Sequence, residues 1–565
     1  MHVFYPEVAA IVAAHLPLDA EAISNSLVPP PNAAMGDIAF PCFSLAKGLR
    51  KAPSAIAANL AASLRSAGLT APLADVRADG PYLNLFLDRP FAGAALIERA
   101  HAEHWGSSGS GAGRTVVIDF SSPNIAKPMH LGHLRSTVIG NSLIKIYRHQ
   151  GWCAVGINHL GDWGTQFGKL MAAYFRWGNP ERVRSNPIDE LLALYQLFTD
   201  RLKEQPELEA EARTYFKRLE DGDPAIRALW RFIVDESIKE VSRIYDLLQV
   251  HFDAFTGESA YEEQMPVVIA ELRAKGLLTE SQGAQVVPLA EYDLPPCLII
   301  KEDGASIYAT RDLAAAEWRR QQYRADRMLY VVDQGQSVHF RQVFAVLTKA
   351  GHAWAEQCRH VGFGVLRVEG RRLRTRSGDV IYLEDLLNRS IDLAREIIAE
   401  KNPSLPDREQ VARSVGVGAV IFNDLRQNRI SDIDFRWEEA LSFAGQTGAY
   451  LQYTCARAGK LLRDAGGALT PSVSPVYAEE QEWAVLRELG RFPEAVARAE
   501  EQMEPSAVAQ YLLDVAQAFN RFYHDRPILK AEPDVRRARL ALVKATANTL
   551  HIGLGLLGIE APEQM

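Results

Sequence analysis

The chain has 565 residues, 47% of them apolar and 23% charged, with a net charge of −8 at pH 7. That balance excludes a disordered or fibrous protein and leaves room for about three to four domains. An acidic total gives no bulk attraction for nucleic acid, so such contacts would rest on local clusters, such as the five arginines between Arg367 and Arg376 or the trio Arg536, Arg537 and Arg539.

No apolar run reaches membrane-spanning length. The apolar stretch Val8–Leu16 follows Glu7 and has neither a basic start nor a small-residue cleavage pattern, so nothing marks it for export. Cys42, Cys153, Cys297, Cys358 and Cys455 include no CxxC pair, which argues against a structural zinc site or a disulfide framework and predicts reduced packing cysteines in a cytosolic protein.

The first region, to about residue 110, combines helical periodicity at Ser54–Leu64 with the alternating strand pattern Tyr82–Leu87. It closes on Gly106–Gly111, which reads as a flexible linker. The β-branched run Thr115–Phe120, bounded by Gly113 and the turn cluster Ser121–Asn124, predicts a buried parallel strand. A helix from His133 to about Gln150 and a strand near Ala154–Ile157 would complete a β-α-β nucleotide-binding unit. From about Met171 to Val250 the pattern is that of charged amphipathic helices, a helical insertion within the α/β domain. Strand signals resume at Cys297–Ile300, Met328–Val332 and His360–Val365, and from about Asn402 periodicity such as Tyr511–Tyr523 and Val535–Leu556 predicts a helical bundle.

The segment Ser121-Ser122-Pro123-Asn124-Ile125-Ala126-Lys127-Pro128-Met129-His130-Leu131-Gly132-His133 lies between the first of these strands and its helix. A helix N-terminus with unpaired N–H groups and a partial positive charge suits a triphosphate. His130 and His133 could donate ring N–H groups to phosphate oxygens, and Gly132 would let an adenine or ribose approach. Zinc binding by the two histidines lacks a third ligand, and packing histidines are the bland alternative. No serine elbow or activated-thiol motif accompanies them.

His130-Leu131-Gly132-His133 resembles the HIGH signature of class I aminoacyl-tRNA synthetases, and its flanks resemble the arginyl-tRNA synthetases. The likeness continues through Leu134–Thr137, Gly161-Asp162-Trp163-Gly164-Thr165-Gln166-Phe167-Gly168, Thr256–Ser259, Tyr308-Ala309-Thr310-Arg311-Asp312-Leu313-Ala314, Gln336–Phe340, Thr447–Tyr453 and Leu557–Glu563, nearly the whole chain. It implies an α/β fold: a Rossmann-type catalytic domain (111–401, helical insertion about 171–250), an N-terminal α+β additional domain (1–110, with Gly36-Asp37 and Leu45-Ala46-Lys47) and a C-terminal all-α anticodon-binding bundle (402–565).

The resemblance also implies a reaction and a cast of residues. L-Arginine would be activated by ATP and transferred to the terminal adenosine of tRNA(Arg). Catalysis would be mainly positioning and charge stabilisation by His130, His133 and Lys127, with ATP contacted also by Gly132, Arg372 and Arg376. Mg²⁺ would arrive on ATP, with no structural metal. Asn124 would hold the α-amino or carboxylate end of arginine. Glu258, Tyr308 and Asp312 would face the guanidinium, whose five donors demand acidic and planar acceptors, while Gln336 and Asp119 would line the pocket. Tyr450, Gln452, Tyr453 and Arg457 would meet the anticodon bases, with helix packing as the alternative for the tyrosines. The expected protein is a cytoplasmic monomer without DNA or membrane partners. One signature departs from the family: the KMSK loop, about 366–380, reads Gly370-Arg371-Arg372-Leu373-Arg374-Thr375-Arg376-Ser377-Gly378, with Arg372 and Thr375 at the lysine positions. Lys127 is the expected substitute, and activation is expected to need tRNA. A synthetase for another amino acid and a non-catalytic tRNA-binding relative remain the alternatives.

Overall fold

The computed structural model describes all residues except 303–306, 373–381, 467–476 and 478. At the N-terminal end, strands Ile38–Pro41, Leu73–Asp79 and Tyr82–Leu87 form an antiparallel sheet with the last in the middle. Tyr82–Leu87 alternates so that Leu83, Leu85 and Leu87 are buried, and the helix Pro53–Ala67 packs its Ile56, Leu60 and Leu64 face beneath the sheet.

The central body is built on five parallel strands: β1 (Thr115–Asp119), β2 (Cys153–Asn158), β3 (Ala254–Phe255), β4 (Arg327–Tyr330) and β5 (Cys358–His360), in the order β5-β4-β1-β2-β3. The order reverses at β1, so a crevice opens at the carboxyl ends of β1 and β4, where ligands bind in open α/β sheets. Helix α1 (Gly132–His149) joins β1 to β2. Helices α2 (Thr165–Trp177), α3 (Pro187–Arg201), α4 (Leu208–Glu220) and α5 (Pro224–Leu248) fill the connection from β2 to β3 and share an apolar cluster with the loop that follows β1. Helices α6 (Tyr308–Tyr323) and α7 (Ser337–Lys349) flank β4. Helix α8 (Leu383–Lys401) pairs with α9 (Arg408–Leu425). The chain then forms α10 (Gly448–Asp464), α11 (Ser506–Asp525) and α12 (Pro533–Leu556), among other helices. Among the described residues no helix is long and apolar enough to cross a membrane.

Several local expectations change. Gly106–Gly111 is not a free linker: Ser108 donates its N–H and hydroxyl to Gln150, at 2.7 and 2.9 Å, and a Cβ on Gly111 would lie 2.1 Å from the Trp152 ring. The glycine there permits close packing rather than motion. Cys297–Ile300 is a strand, but of a separate antiparallel sheet. The run His360–Val365 is broken between β5 and the strand Leu366–Val368, because Gly364 lies against the backbone of Ile430 and Ser431. Past Asn402 the chain is not purely helical, since Ile433–Phe435 pairs in parallel with Leu366–Val368. Arg539 is no surface cation: it is buried, 2.6 Å from Glu482. Cys153 is exposed, unlike the packing cysteines expected.

Candidate active site

The turn between β1 and α1 is tightly wound. Ser121, Ser122 and Ala126 all sit at positive φ, a conformation that side chains other than glycine adopt only under constraint. The turn is held from α1, where Ser136 accepts the Ser121 N–H at 2.8 Å, and from the helical insertion. Ser237 on α5 accepts the Ala126 N–H at 3.0 Å, and Tyr245 on α5 hydrogen-bonds the Ser121 hydroxyl at 2.8 Å.

His130 precedes α1 and His133 lies in its first turn, with their ring centroids 4.0 Å apart. The N–H of Gly132 donates to His130 Nδ1 at 3.0 Å, and the N–H of His130 donates to His133 Nδ1 at 3.1 Å. Each neutral ring therefore carries its proton on Nε2. Burial, then the neighbouring His130, pushes His133 down to about 3, while burial and the charge of Lys127 lower His130. The first-turn N–H groups of His133 and Leu134 are bonded to the His130 and Leu131 carbonyls. The helix end thus offers an anion its dipole field and two ring N–H donors, rather than the free backbone donors that the sequence suggested. Gly132 is needed by His130 itself, since a Cβ there would lie 2.7 Å from His130 Cε1.

Lys127 is half-buried, with Nζ 4.5 Å from the ring centroid of Tyr195 on α3, and burial lowers its pKa. Asn124 is exposed and bridges to Gly161, where a Cβ would meet Asn124 Oδ1 at 2.4 Å.

The carboxylates expected around a guanidinium gather near the ends of β1 and β2, each with an internal partner. Asp119 is buried against Arg319 at 2.7 Å. Glu258 lies 3.1 Å from Arg311, and Asp312 is 2.6 Å from His339 Nε2. Burial pushes Glu258 up to about 7; Arg311 pulls against this, while Asp162 and Asp312 add to the rise. Burial outweighs the ion pair with Arg311, so this carboxyl sits largely out of water beside two further acids, Asp162 and Asp312. Tyr308 opens α6 at 71% exposure, and Gln336 is exposed just before α7. Asp162, held by the N–H and hydroxyl of Ser259 at 2.9 and 2.6 Å, and part-buried His159, whose Nδ1 has no partner, were not singled out in the sequence. Their place within Asn158–Asp162, at the end of β2 and the start of a matched motif, was the available signal. The backbone of Arg372 ends a two-residue strand, and Arg376 lies outside the described residues.

Among the described residues, one group of side chains with cation-holding spacing is Glu271, Glu317 and His352, and Lys275 lies 2.6 Å from Glu271.

On α10, Tyr453 is 39% exposed and Arg457 lies 4.9 Å from its ring centroid and 4.8 Å from that of Tyr523, also 39% exposed. The Tyr450 hydroxyl accepts from Asn520 at 2.9 Å. Gln452 departs from the expectation for it. It is fully buried and donates to the carbonyls of Ser414 and Glu560, at 3.1 and 2.7 Å, so in this structure it ties helices together and faces no base.

Three family models match in chain order: the arginyl tRNA synthetase N terminal domain over 7–87, the catalytic domain of "tRNA synthetases class I (R)" over 99–437, and the DALR anticodon binding domain over 451–565. The chain is 48% identical over 539 residues to an arginine–tRNA ligase of Alkaliphilus metalliredigens, covering 95% of each chain. It is 45% identical over 562 residues to that of Clostridium botulinum, covering 99% of each. The arginyl-tRNA synthetase of Thermus thermophilus superposes with a TM-score of 0.79 at 28% identity over the whole of both chains. With these matches spanning the turn, the imidazole pair and the paired carboxylates together, the chain belongs to the class I arginyl-tRNA synthetases, the arginine–tRNA ligases.

Proposed function

We propose that the carboxylates Glu258 and Asp312, with Tyr308, take the arginine guanidinium, and that His130, His133 and Lys127 take the phosphates of ATP. The single observation that carries this is the setting of Glu258: it is part-buried, lies 3.1 Å from Arg311, and is pushed up to about 7 by burial, with Asp162 and Asp312 adding to the rise. A buried carboxyl held that high gains most from a second cation, and guanidinium keeps its charge at any working pH. Asn124, exposed in the β1–α1 turn, takes the α-amino or carboxylate end of arginine in this reading. In this reading Gln336 also belongs to the arginine site, and Asp119, paired with Arg319, acts through it.

Activation forms a bond between an arginine carboxylate oxygen and the α-phosphorus as the bond to pyrophosphate breaks. Charge grows on the phosphoryl oxygens, and the two Nε2–H groups are fixed donors for it because each Nδ1 is already occupied. Neither ring needs to lose or gain a proton. Transfer then joins a ribose hydroxyl of the terminal adenosine of tRNA(Arg) to the arginyl carbonyl, and AMP leaves. The groups around α1 donate rather than accept, which fits Mg²⁺ carried on the triphosphate rather than held in a protein cage. Arg372 and Arg376 complete the ATP site in this reading. Exposed Tyr453 and Tyr523, bracketing Arg457, supply stacking faces for unpaired tRNA bases, with Tyr450 beside them through Asn520. The five free cysteines fit a reducing, cytoplasmic setting.

The test is ATP–pyrophosphate exchange with each amino acid, with and without total tRNA. Exchange with arginine alone, and only with tRNA present, is expected. Exchange driven by another amino acid would overturn the pocket assignment.

A further inference from the structure

We infer that Tyr195, on helix α3 of the helical insertion, is a positioning residue for Lys127. The ammonium of Lys127 lies 4.5 Å from the Tyr195 ring centroid, and the two residues line one narrow cleft with Gln166, Phe167 and Leu170. Among the described residues no carboxylate pairs with Lys127, although the surrounding helices are rich in acids. The distinction matters chemically. A carboxylate partner would cancel the lysine charge and compete with an anionic ligand, whereas the negative face of an aromatic ring holds an ammonium in place and leaves its charge available. The charge is felt at the site, since it lowers His130, whose own Nδ1 is tied to Gly132.

The surroundings make the placement directional. Lys127 follows Ala126, whose positive φ is held by Ser237 on α5, so α3 and α5 of the insertion fix the side chain and the backbone of one turn. Pro128 follows Lys127, limiting its φ/ψ choice. A lysine stem has four rotatable bonds, and without an aromatic face to rest on, its ammonium would sample many positions away from the phosphates. The insertion thereby becomes part of the active site.

The inference rests on Lys127 meeting the phosphates of ATP, and a double-mutant cycle separates the two. Tyr195→Leu, Tyr195→Phe, Lys127→Met and the double variant Tyr195→Leu/Lys127→Met are measured by arginine-dependent ATP–pyrophosphate exchange with tRNA present, with thermal melts as a folding control. Tyr195→Leu is expected to cut kcat/KM for ATP by roughly tenfold, a typical magnitude for a part-buried cation–π contact. Tyr195→Phe, which keeps the ring face, retains most of the activity. In the Lys127→Met background Tyr195→Leu costs nothing further, because there is no ammonium left to place. If the losses multiply instead, or Phe is as poor as Leu, Tyr195 is a packing residue and the inference fails while the role of Lys127 stands. If Lys127→Met leaves exchange unchanged, the phosphate role of Lys127 fails first. Should Lys127→Met exchange fall below detection, the same cycle is read from ATP affinity by equilibrium dialysis.

Discussion

Arg135 and Asp424, 289 positions apart, form a 3.0 Å ion pair whose side chains are 1% and 2% exposed. Arg135 lies on α1 two residues after His133, and its second arm donates to the Ser431 carbonyl at 2.8 Å, so the helix that carries the imidazoles is bolted to α9. Arg135→Leu would strand a buried carboxylate and is expected to cost about 3–5 kcal/mol. Burial, opposed by Arg135, already places Asp424 at about 6, above its ordinary 3.8. A carboxyl raised on folding contributes stability that is complete below the unfolded value and lost as pH rises through the folded one. Removing Arg135 raises Asp424 further, so the variant's drop in melting temperature should be larger at pH 8 than at pH 5. Equal drops at both would show that the pair's charge does not matter.

As the proposed partner of the guanidinium, Glu258 should give arginine recognition a pH dependence. With the carboxyl at about 7 in the ligand-free protein, its proton must leave before a guanidinium can pair with it. The KM for arginine is therefore expected to rise as pH falls below about 7, approaching tenfold per unit, and Glu258→Gln should abolish that limb while weakening arginine at every pH. For stability the sign is opposite. A carboxyl raised from 4.5 to about 7 favours the folded state below 4.5 and loses that contribution as pH passes 7. Glu258→Gln should accordingly melt no lower than the parent at pH 8. A flat arginine KM between pH 6 and 8 would remove Glu258 from the pocket.

In the proposed ATP site the two imidazoles serve as fixed neutral donors, since each Nδ1 is already occupied. His133→Asn keeps an acceptor near Nδ1 but lacks a donor at the Nε2 position, whereas His133→Gln reaches that position. Exchange should fall roughly 100- to 1,000-fold for Asn, the range for losing one transition-state donor, and less for Gln. Since burial puts His133 at about 3, its titration produces no acid limb above pH 5. Gly132→Ala, whose Cβ would press within 2.7 Å of His130 Cε1, should lower exchange with little change in melting temperature. Full activity in that variant would free His130 from its proposed role.

At the other end of the chain, Tyr453→Ala and Tyr523→Ala remove exposed faces on either side of Arg457. Each is expected to raise the KM for tRNA roughly 5- to 150-fold, the range for one stacked base, with the KM for arginine unchanged in reactions saturated with tRNA. Gln452→Ala should behave differently, lowering the melting temperature because its amide joins Ser414 and Glu560 inside the protein. A tRNA defect without a stability change in Gln452→Ala would reverse those assignments.

The elements nearest the chemistry were legible in the sequence because their signals are local. The β-branched run Thr115–Asp119, the turn cluster after it and the periodicity of α1 place His130 and His133 at a strand-to-helix junction without any knowledge of distant contacts. Matched motifs then brought Asn124, Glu258, Tyr308 and Asp312 into one list. The pairings of those groups were not legible, because they depend on which cation arrives from elsewhere in the fold. Arg319 reaches Asp119 from 200 positions away, and His339 meets Asp312 across two helices.

The sequence by itself determined the β-α-β opening, the family and the residue types at the site, since strand and helix periods and motif order are properties of neighbouring residues. Only the tertiary structure decided which nitrogen of each histidine carries the proton, that Gln452 is interior, and that Tyr195 meets Lys127. Those outcomes follow from side-chain distances and burial, which arise when segments far apart in sequence compete for the same space.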